Sequence, residues 1–212
     1  MDAIMRLLRI IFIFQVLRGW LHILIWRSSD ARAVISKDVE RWHAELQEAG
    51  TRQSMGWQGL LWLLWRHPPF RNLFYYRVTR TRNLFARIIV EIAKGFYRPM
   101  ESLRITCINI GEGLYIQHGM CAVIGGQSIG RNCWINQQVT IGFSNETDRP
   151  TIGDNVHVTA GAKVIGNITV GDNVIIGANA VVNKNVPPNC TVVGVPAHII
   201  RRDGVRVHQP LE

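Results

Sequence analysis

The sequence predicts an α+β protein: a helical N-terminal region followed by a triangular parallel β-coil. Three observations predict it. Ile152, Val158, Val164, Val170, Ile176 and Val182 recur at an interval of six. Three positions after each stands Asn155, Gly161, Asn167, Asn173, Asn179 or Asn185, residue types that enter the left-handed backbone region at least cost. Ahead of this ladder the pattern changes to apolar runs rich in Arg, Trp and Leu. At 212 residues the chain fits one coil domain and one smaller domain. The expected boundaries are 1–104 for the helical region, 105–202 for the coil and 203–212 for a tail.

Leu7–Trp26 reads as a helix. Arg9, Gln15, Arg18 and His22 interrupt its apolar run, and the last three share one face by their spacing. An Arg near mid-span costs about 2.5–3.5 kcal/mol on insertion scales, which argues against a membrane crossing. No small-residue cleavage site follows, so a secretory signal fits poorly. Packing within the protein, joining of subunits and an interfacial position on a membrane all suit the composition. Val39–Glu48 reads as a polar helix, Trp57–Trp65 as an apolar one closed by His67-Pro68-Pro69, and Asn83–Tyr97 as a helix leading into the coils. Trp42, Trp57, Trp62 and Trp65 are expected in the core or an interface.

Residues 1–104 hold 17 Lys and Arg against 8 Asp and Glu, while residues 105–212 hold 7 of each. The net charge of +9 therefore lies wholly ahead of the coil. Such a field suits an anionic membrane surface or polymer. No nucleic-acid-binding motif of the usual kinds is present, and nucleic acid is not an expected partner. The four cysteines form no C-x-x-C pair, which suits a reducing compartment. Cys121 and Cys133 are expected as small buried hydrophobes in or beside the coils.

A fixed period of six marks a repeat architecture, since strands alternate with period two and helices near 3.6. Three sides make a coil of about 18 residues, and coils stack roughly 4.8 Å apart. The ladder residues point inward. Val156, Ala162, Ile168, Val174, Ala180 and Val186 fill the remaining interior. The pattern reaches upstream through Ile110, Ile116, Ile129, Ile135 and Ile141, with a slip around residues 122–126. The stretch FSNETDRPT (143–151) must loop out, and expelled loops usually lie on a solenoid's working face.

Tandem [LIV]-G-x-N-x-x hexads resemble the left-handed parallel β-helix of hexapeptide-repeat acyltransferases. GLYIQHGMCAVIG, QVTIG, IGDNVHVTAGAKVIGNITVGDNVIIGANAVV and VPPNCTVVGVPAHII resemble serine acetyltransferases. They are similar, more narrowly, to the branch found in bacterial polysaccharide gene clusters. The resemblance covers residues 105–202 and, more loosely, the helical stretch around FRNLFYYRV. It implies a left-handed coil, acetyl-CoA as co-substrate, and assembly as a homotrimer or a dimer of trimers.

It also implies roles. His118 matches the catalytic histidine. A neutral imidazole can take the proton of a weakly nucleophilic hydroxyl as it attacks a thioester, help worth about 10²–10⁴-fold. Ala160 and Ala178 match alanines lining the coenzyme groove, and Gly161 accompanies Ala160. Gly142 and Phe143 match a glycine pair near the thioester. Lys163, Arg201 and Arg202 are candidates for the coenzyme phosphates. The acceptor side departs from the pattern. Gln117 replaces an Asp before the catalytic His, Arg149 falls on a second His, Asp148 on an Arg, and Leu103 on the acid that orients His118. Glu101 and Glu112 are the available substitutes for that acid.

Because those positions grip serine's charged groups in the family, their loss points to an acceptor with no zwitterion. The expected function is therefore acetyl-CoA-dependent O-acetylation of a sugar hydroxyl in exopolysaccharide or capsule biosynthesis. The expected location is cytoplasmic, with a peripheral place on the inner membrane as an option. Serine O-acetylation for cysteine biosynthesis is the alternative; against it, the C-terminal Gln-Pro-Leu-Glu lacks the terminal isoleucine of many serine acetyltransferases. A non-catalytic β-helix scaffold is the third reading. Cys121 lacks a Cys–His signature, and no histidine spacing indicates a metal site.

Overall fold

The computed structural model describes residues 2–47 and 56–211, with side chains described from Ile13 onward, Gln15 and Gln47 excepted. It divides into two compact units, Met1–Met100 and Glu101–Glu212.

The first unit is helical: α1 (Asp2–Ser28), α2 (Arg32–Gln47), α3 (Trp57–Arg66), α4 (Pro68–Thr79) and α5 (Leu84–Ala93). The polar helix expected from Val39 begins earlier, at Arg32; Glu48 lies outside the described residues. His67 closes α3 with its backbone N–H on the Leu63 carbonyl, and Pro68 then opens α4. Proline costs nothing in a first turn, where no intrahelical acceptor awaits its missing N–H. Asn83 caps α5, its side-chain oxygen accepting from Ala86 N at 3.1 Å.

Leu60, Leu63, Leu64, Leu73 and Phe74 form the centre of this core, together with Trp42. Arg18 and His22 share a face of α1, as their spacing requires, and that face turns inward. His22 is fully buried with Nε2 2.9 Å from the Tyr75 hydroxyl, and Arg18 Nε donates to the Phe96 carbonyl at 2.7 Å. The side chains of Arg9 and Gln15 lie outside those described. Asp38 and Arg77 form a buried ion pair, Arg77 Nε donating to Asp38 Oδ2 at 2.9 Å. Among the described residues no helix is long and apolar enough to cross a membrane.

The second unit is a parallel solenoid of two- and three-residue strands. Its first coil holds β1 (Arg104–Ile105), β2 (Asn109–Ile110) and β3 (Tyr115–Ile116). The second holds β4 (Val123–Ile124), β5 (Ser128–Ile129) and β6 (Trp134–Ile135). The third holds β7 (Thr140–Gly142), β8 (Thr151–Ile152) and β9 (His157–Val158). The fourth holds β10 (Lys163–Ile165), β11 (Thr169–Val170) and β12 (Ile175–Ile176). β13 (Val181–Val182), a bridge from Val186 to Val170, and β14 (Cys190–Val193) make the last. Each face is one parallel sheet; β1-β4-β7-β10-β13 is the first. An antiparallel pair, β15 (His198–Arg202) and β16 (Val205–Pro210), extends the sheet that ends in β14. Residues expected as a tail thus supply an edge strand.

Every ladder residue from Ile110 to Val182 is buried, and so are all six interior partners from Val156 to Val186. Where the hexads are regular, register advances 18 residues, Lys163 pairing with Val181 and Ile175 with His157. The corners are less uniform than the sequence implies. Asn155, Gly161, Asn173 and Asn179 take the expected left-handed conformation, with φ between 55° and 74°. Asn167 and Asn185 do not; at their corner Gly126 and Gly166 carry the positive φ instead. Cys133 is buried as expected, but Cys121 is exposed at a corner with φ 54°.

Candidate active site

The slip in the hexads has a structural origin at His118. The corner from Ile116 in β3 to Val123 in β4 is two residues longer than that from Ile135 in β6 to Thr140 in β7. The extra length bulges the backbone outward. His118 (φ 63°), Gly119 (64°) and Cys121 (54°) all lie in the left-handed region within it. His118 is exposed, and its side chain has no hydrogen-bonding partner among the described residues. Neither Glu101 nor Glu112 reaches it. Leu103, at the position of the family's orienting acid, is buried.

Below His118 the same corner repeats in successive coils, tied by backbone bonds from Gln117 N to Ile135 O, Asn136 N to Val158 O and Thr159 N to Ile176 O. Two further bonds, Gly161 N to Gln137 O and Asn179 N to Ala160 O, set Gln137, Ala160 and Ala178 in one column. Ala160 and Ala178 are therefore stacked neighbours, the first half-buried and the second exposed. Small side chains there leave a channel along the corner, open to a long thin ligand. Gly161 (φ 74°) holds the left-handed conformation that Gln138 and Asn179 take in the neighbouring coils, and a Cβ on it would meet Asn179 Oδ1 at 2.0 Å. Lys163 is committed to this corner: its Nζ donates to the Gln138 carbonyl at 2.7 Å.

Two residues missed by sequence reasoning lie here. Asn136 Nδ2 donates to Gln117 Oε1 at 2.9 Å. Gln137 holds a buried side-chain oxygen with no hydrogen-bond partner among the described residues, in the column between His118 and Ala160. Their signal was positional: both fall in the corner that follows Ile135.

A second group of expected site residues occupies a different corner, between β7 and β8. Gly142 ends β7, and Phe143 begins the expelled loop with its ring 58% exposed. The Asp148 carboxylate closes that loop, accepting from Ser144 N at 2.8 Å and Asn145 N at 3.0 Å, and from the Ser144 hydroxyl. The Ser144 hydroxyl above all, with these amides, holds its pKa below the usual carboxylate range. Arg149 lies with its guanidinium 5.8 Å from the centroid of Phe143. Within one chain the first sheet separates this corner from that of His118. Arg201 and Arg202 lie exposed on β15, Arg201 pairing with Arg206 of β16 beside a depression of about 470 Å³.

The relatives of this chain share the architecture. The family profile described as bacterial transferase hexapeptide (six repeats) matches residues 149–184. Serine acetyltransferase of Neisseria gonorrhoeae, a solved structure, is 30% identical with a TM-score of 0.59, over 84% of this chain and 69% of that one. The chain belongs to the hexapeptide-repeat acyltransferase family. The Neisseria enzyme solved in complex with serine is 29% identical, TM-score 0.58, over 84% of this chain and 73% of that one. The serine acetyltransferase of Synechococcus elongatus is 50% identical over 154 residues, 69% of this chain and 62% of the relative. That of Staphylococcus aureus strain Mu50 is 53% identical over 148 residues, 68% of this chain and 66% of the relative. The chain thus spans somewhat under two thirds of the length of these curated relatives.

As a hexapeptide-repeat protein the chain winds as the left-handed β-helix of these structures. The same comparisons correct the expected acceptor. The relatives named above are serine acetyltransferases, one of them solved with serine, rather than sugar acetyltransferases. The inference from Gln117, Asp148 and Arg149 to a saccharide acceptor is overturned.

Proposed function

We propose that the chain is a serine O-acetyltransferase, transferring acetyl from acetyl-CoA to the hydroxyl of L-serine. The observation that carries this reading is His118: exposed on a widened corner, free of protein partners, and aligned with the small-residue column of Ala160 and Ala178. In the proposed reaction the His118 imidazole takes the serine hydroxyl proton as the oxygen attacks the thioester carbonyl. The C–S bond then breaks, and the proton passes to the departing thiolate, giving O-acetylserine and CoA. The pantetheine arm lies along Ala160, Gly161 and Ala178, with Lys163 and Arg201 on the phosphate side. Gly142 and Phe143 flank the acetyl group, and Gln117, Asp148 and Arg149 face the acceptor.

The two corners that hold these residues meet when copies associate side by side, so the active enzyme is a trimer, or a pair of trimers, in the cytoplasm. Neighbouring β-helices then place the loop of one copy against the His118 corner of the next. The test is CoA release from acetyl-CoA by wild type and His118→Ala, with L-serine and with nucleotide sugars as acceptors. Serine-dependent release that collapses in the variant supports the reading. Absence of acetyl-CoA binding would instead identify a scaffold.

A further inference from the structure

α1 and α5 run antiparallel as neighbours. The Asn83 side chain donates to the Ser28 carbonyl at 2.8 Å at one end of the pair, and Arg18 reaches the Phe96 carbonyl at the other. Both helices carry a second apolar row, on the side that does not pack. On α1 it comprises Leu17, Trp20 and Leu24, and on α5 Phe85, Ile88 and Ile92, each between 37% and 66% exposed. Burial of one face explains Leu21, Ile25 and Val90, but it leaves these rows without an occupant in the chain. Large apolar side chains contiguous on a surface mark a docking site.

We propose that these rows dock on an anionic bilayer surface, lying in its interface. Charge decides between a bilayer and a second copy. The helical region carries the whole +9 of the protein, and on or beside the two helices the exposed Arg27, Arg82 and Arg87 outnumber the exposed Asp30 and Glu91. A two-fold contact would press each copy's arginine field against its own image, and a three-fold contact is the outcome that the assembly mass would reveal. An anionic headgroup layer complements that field while the apolar rows enter the acyl boundary. Trp20, apolar with one polar edge, suits that depth. Nothing in this placement involves the β-helix or the proposed reaction.

The experiment is flotation of the purified protein with vesicles of phosphatidylglycerol and phosphatidylcholine, or of phosphatidylcholine alone, with mass photometry of the lipid-free protein. Wild type is expected to float with the anionic vesicles only, and less at high salt. Trp20→Ser with Ile88→Ser lowers the floated fraction by about tenfold. Arg82→Glu with Arg87→Glu, which leaves the apolar rows intact, lowers it likewise. Mass and solution CoA release stay unchanged in both. Failure of wild type to float with anionic vesicles overturns the proposal. So does a fall in assembly mass in Trp20→Ser with Ile88→Ser while flotation persists, which would show that the rows join copies.

Discussion

Asn136 donates its side-chain amide to Gln117 across consecutive coils, N to O 2.9 Å, directly before His118 in the chain. A neutral amide pair therefore stands where the family resemblance places a carboxylate. Gln117→Asp sets a negative charge beside the acceptor and keeps an Asn136 donor for it. On the serine reading, kcat/KM for L-serine is expected to rise about tenfold, the value of one screened charge contact. KM for acetyl-CoA should not move. A fall in kcat/KM for serine would show that the acceptor's ammonium lies elsewhere.

His118→Ala should lower kcat by about 10²–10⁴-fold with little change in KM for acetyl-CoA, because the imidazole acts on the proton and not on the coenzyme. Steady-state CoA release checks this. Loss confined to KM would make His118 a binding residue.

The stacked asparagines are a stability element. Asn173 holds φ 58°, receives Asn155 Nδ2 at 3.2 Å and donates to Asn189 Oδ1 at 2.9 Å. Asn173→Ala is expected to cost about 1–3 kcal/mol, combining the left-handed backbone penalty with lost hydrogen bonds. Asn173→Gly should recover the backbone part. Denaturant midpoints of the two variants separate the contributions.

In the helical unit, Asp38→Ala strands the Arg77 guanidinium, whose side chain is 6% exposed. Breaking one side of such a pair costs about 3–5 kcal/mol. Replacing both partners, Asp38→Leu with Arg77→Met, should cost much less, because no buried charge remains. Thermal unfolding of the single and double variants makes the comparison.

Burial, with Arg18 and Arg71 adding repulsion, lowers the pKa of His22 from 6.5 to about 3. His67 is lowered to about 4, again chiefly by burial. Both stay neutral in the folded protein while the unfolded chain binds protons below pH 6.5. Stability is therefore full above pH 6.5 and declines as pH falls towards 3, by up to about 1.4 kcal/mol per pH unit for His22. His22→Gln, which can still bond the Tyr75 hydroxyl, should flatten urea midpoints between pH 6.5 and 4. An unchanged slope would assign the acid sensitivity to other groups.

The β-helix was legible because an inward aliphatic every sixth residue has no other use. The lengths of its corners were not. The hexads register a slip of one residue, but only coordinates locate two added residues around His118, which decide that Gln117 meets Asn136. α4 stood in the sequence only as a helical stretch around FRNLFYYRV without bounds, because Pro68-Pro69 reads equally as the stop of one helix or the first turn of the next. The acceptor was misjudged for a related reason. Gln117, Asp148 and Arg149 were weighed together as the loss of a grip on serine, whereas Asp148 is occupied in bracing its own loop and Gln117 is held by a neighbour absent from the motif.

A stack of parallel coils has ends whose backbone groups match: the last coil of one molecule could accept the first coil of another, and the addition would repeat without limit. On the face that ends in β14 this is prevented by a covering hairpin. β15 runs antiparallel to β14 and β16 antiparallel to β15, so the edge of the last coil on that side is already paired and an incoming β3 cannot reach it. β16 also presents Arg206 and Pro210, a charge and a missing donor. The hairpin thus serves as a guard against filament growth in a fold whose regularity would otherwise invite it.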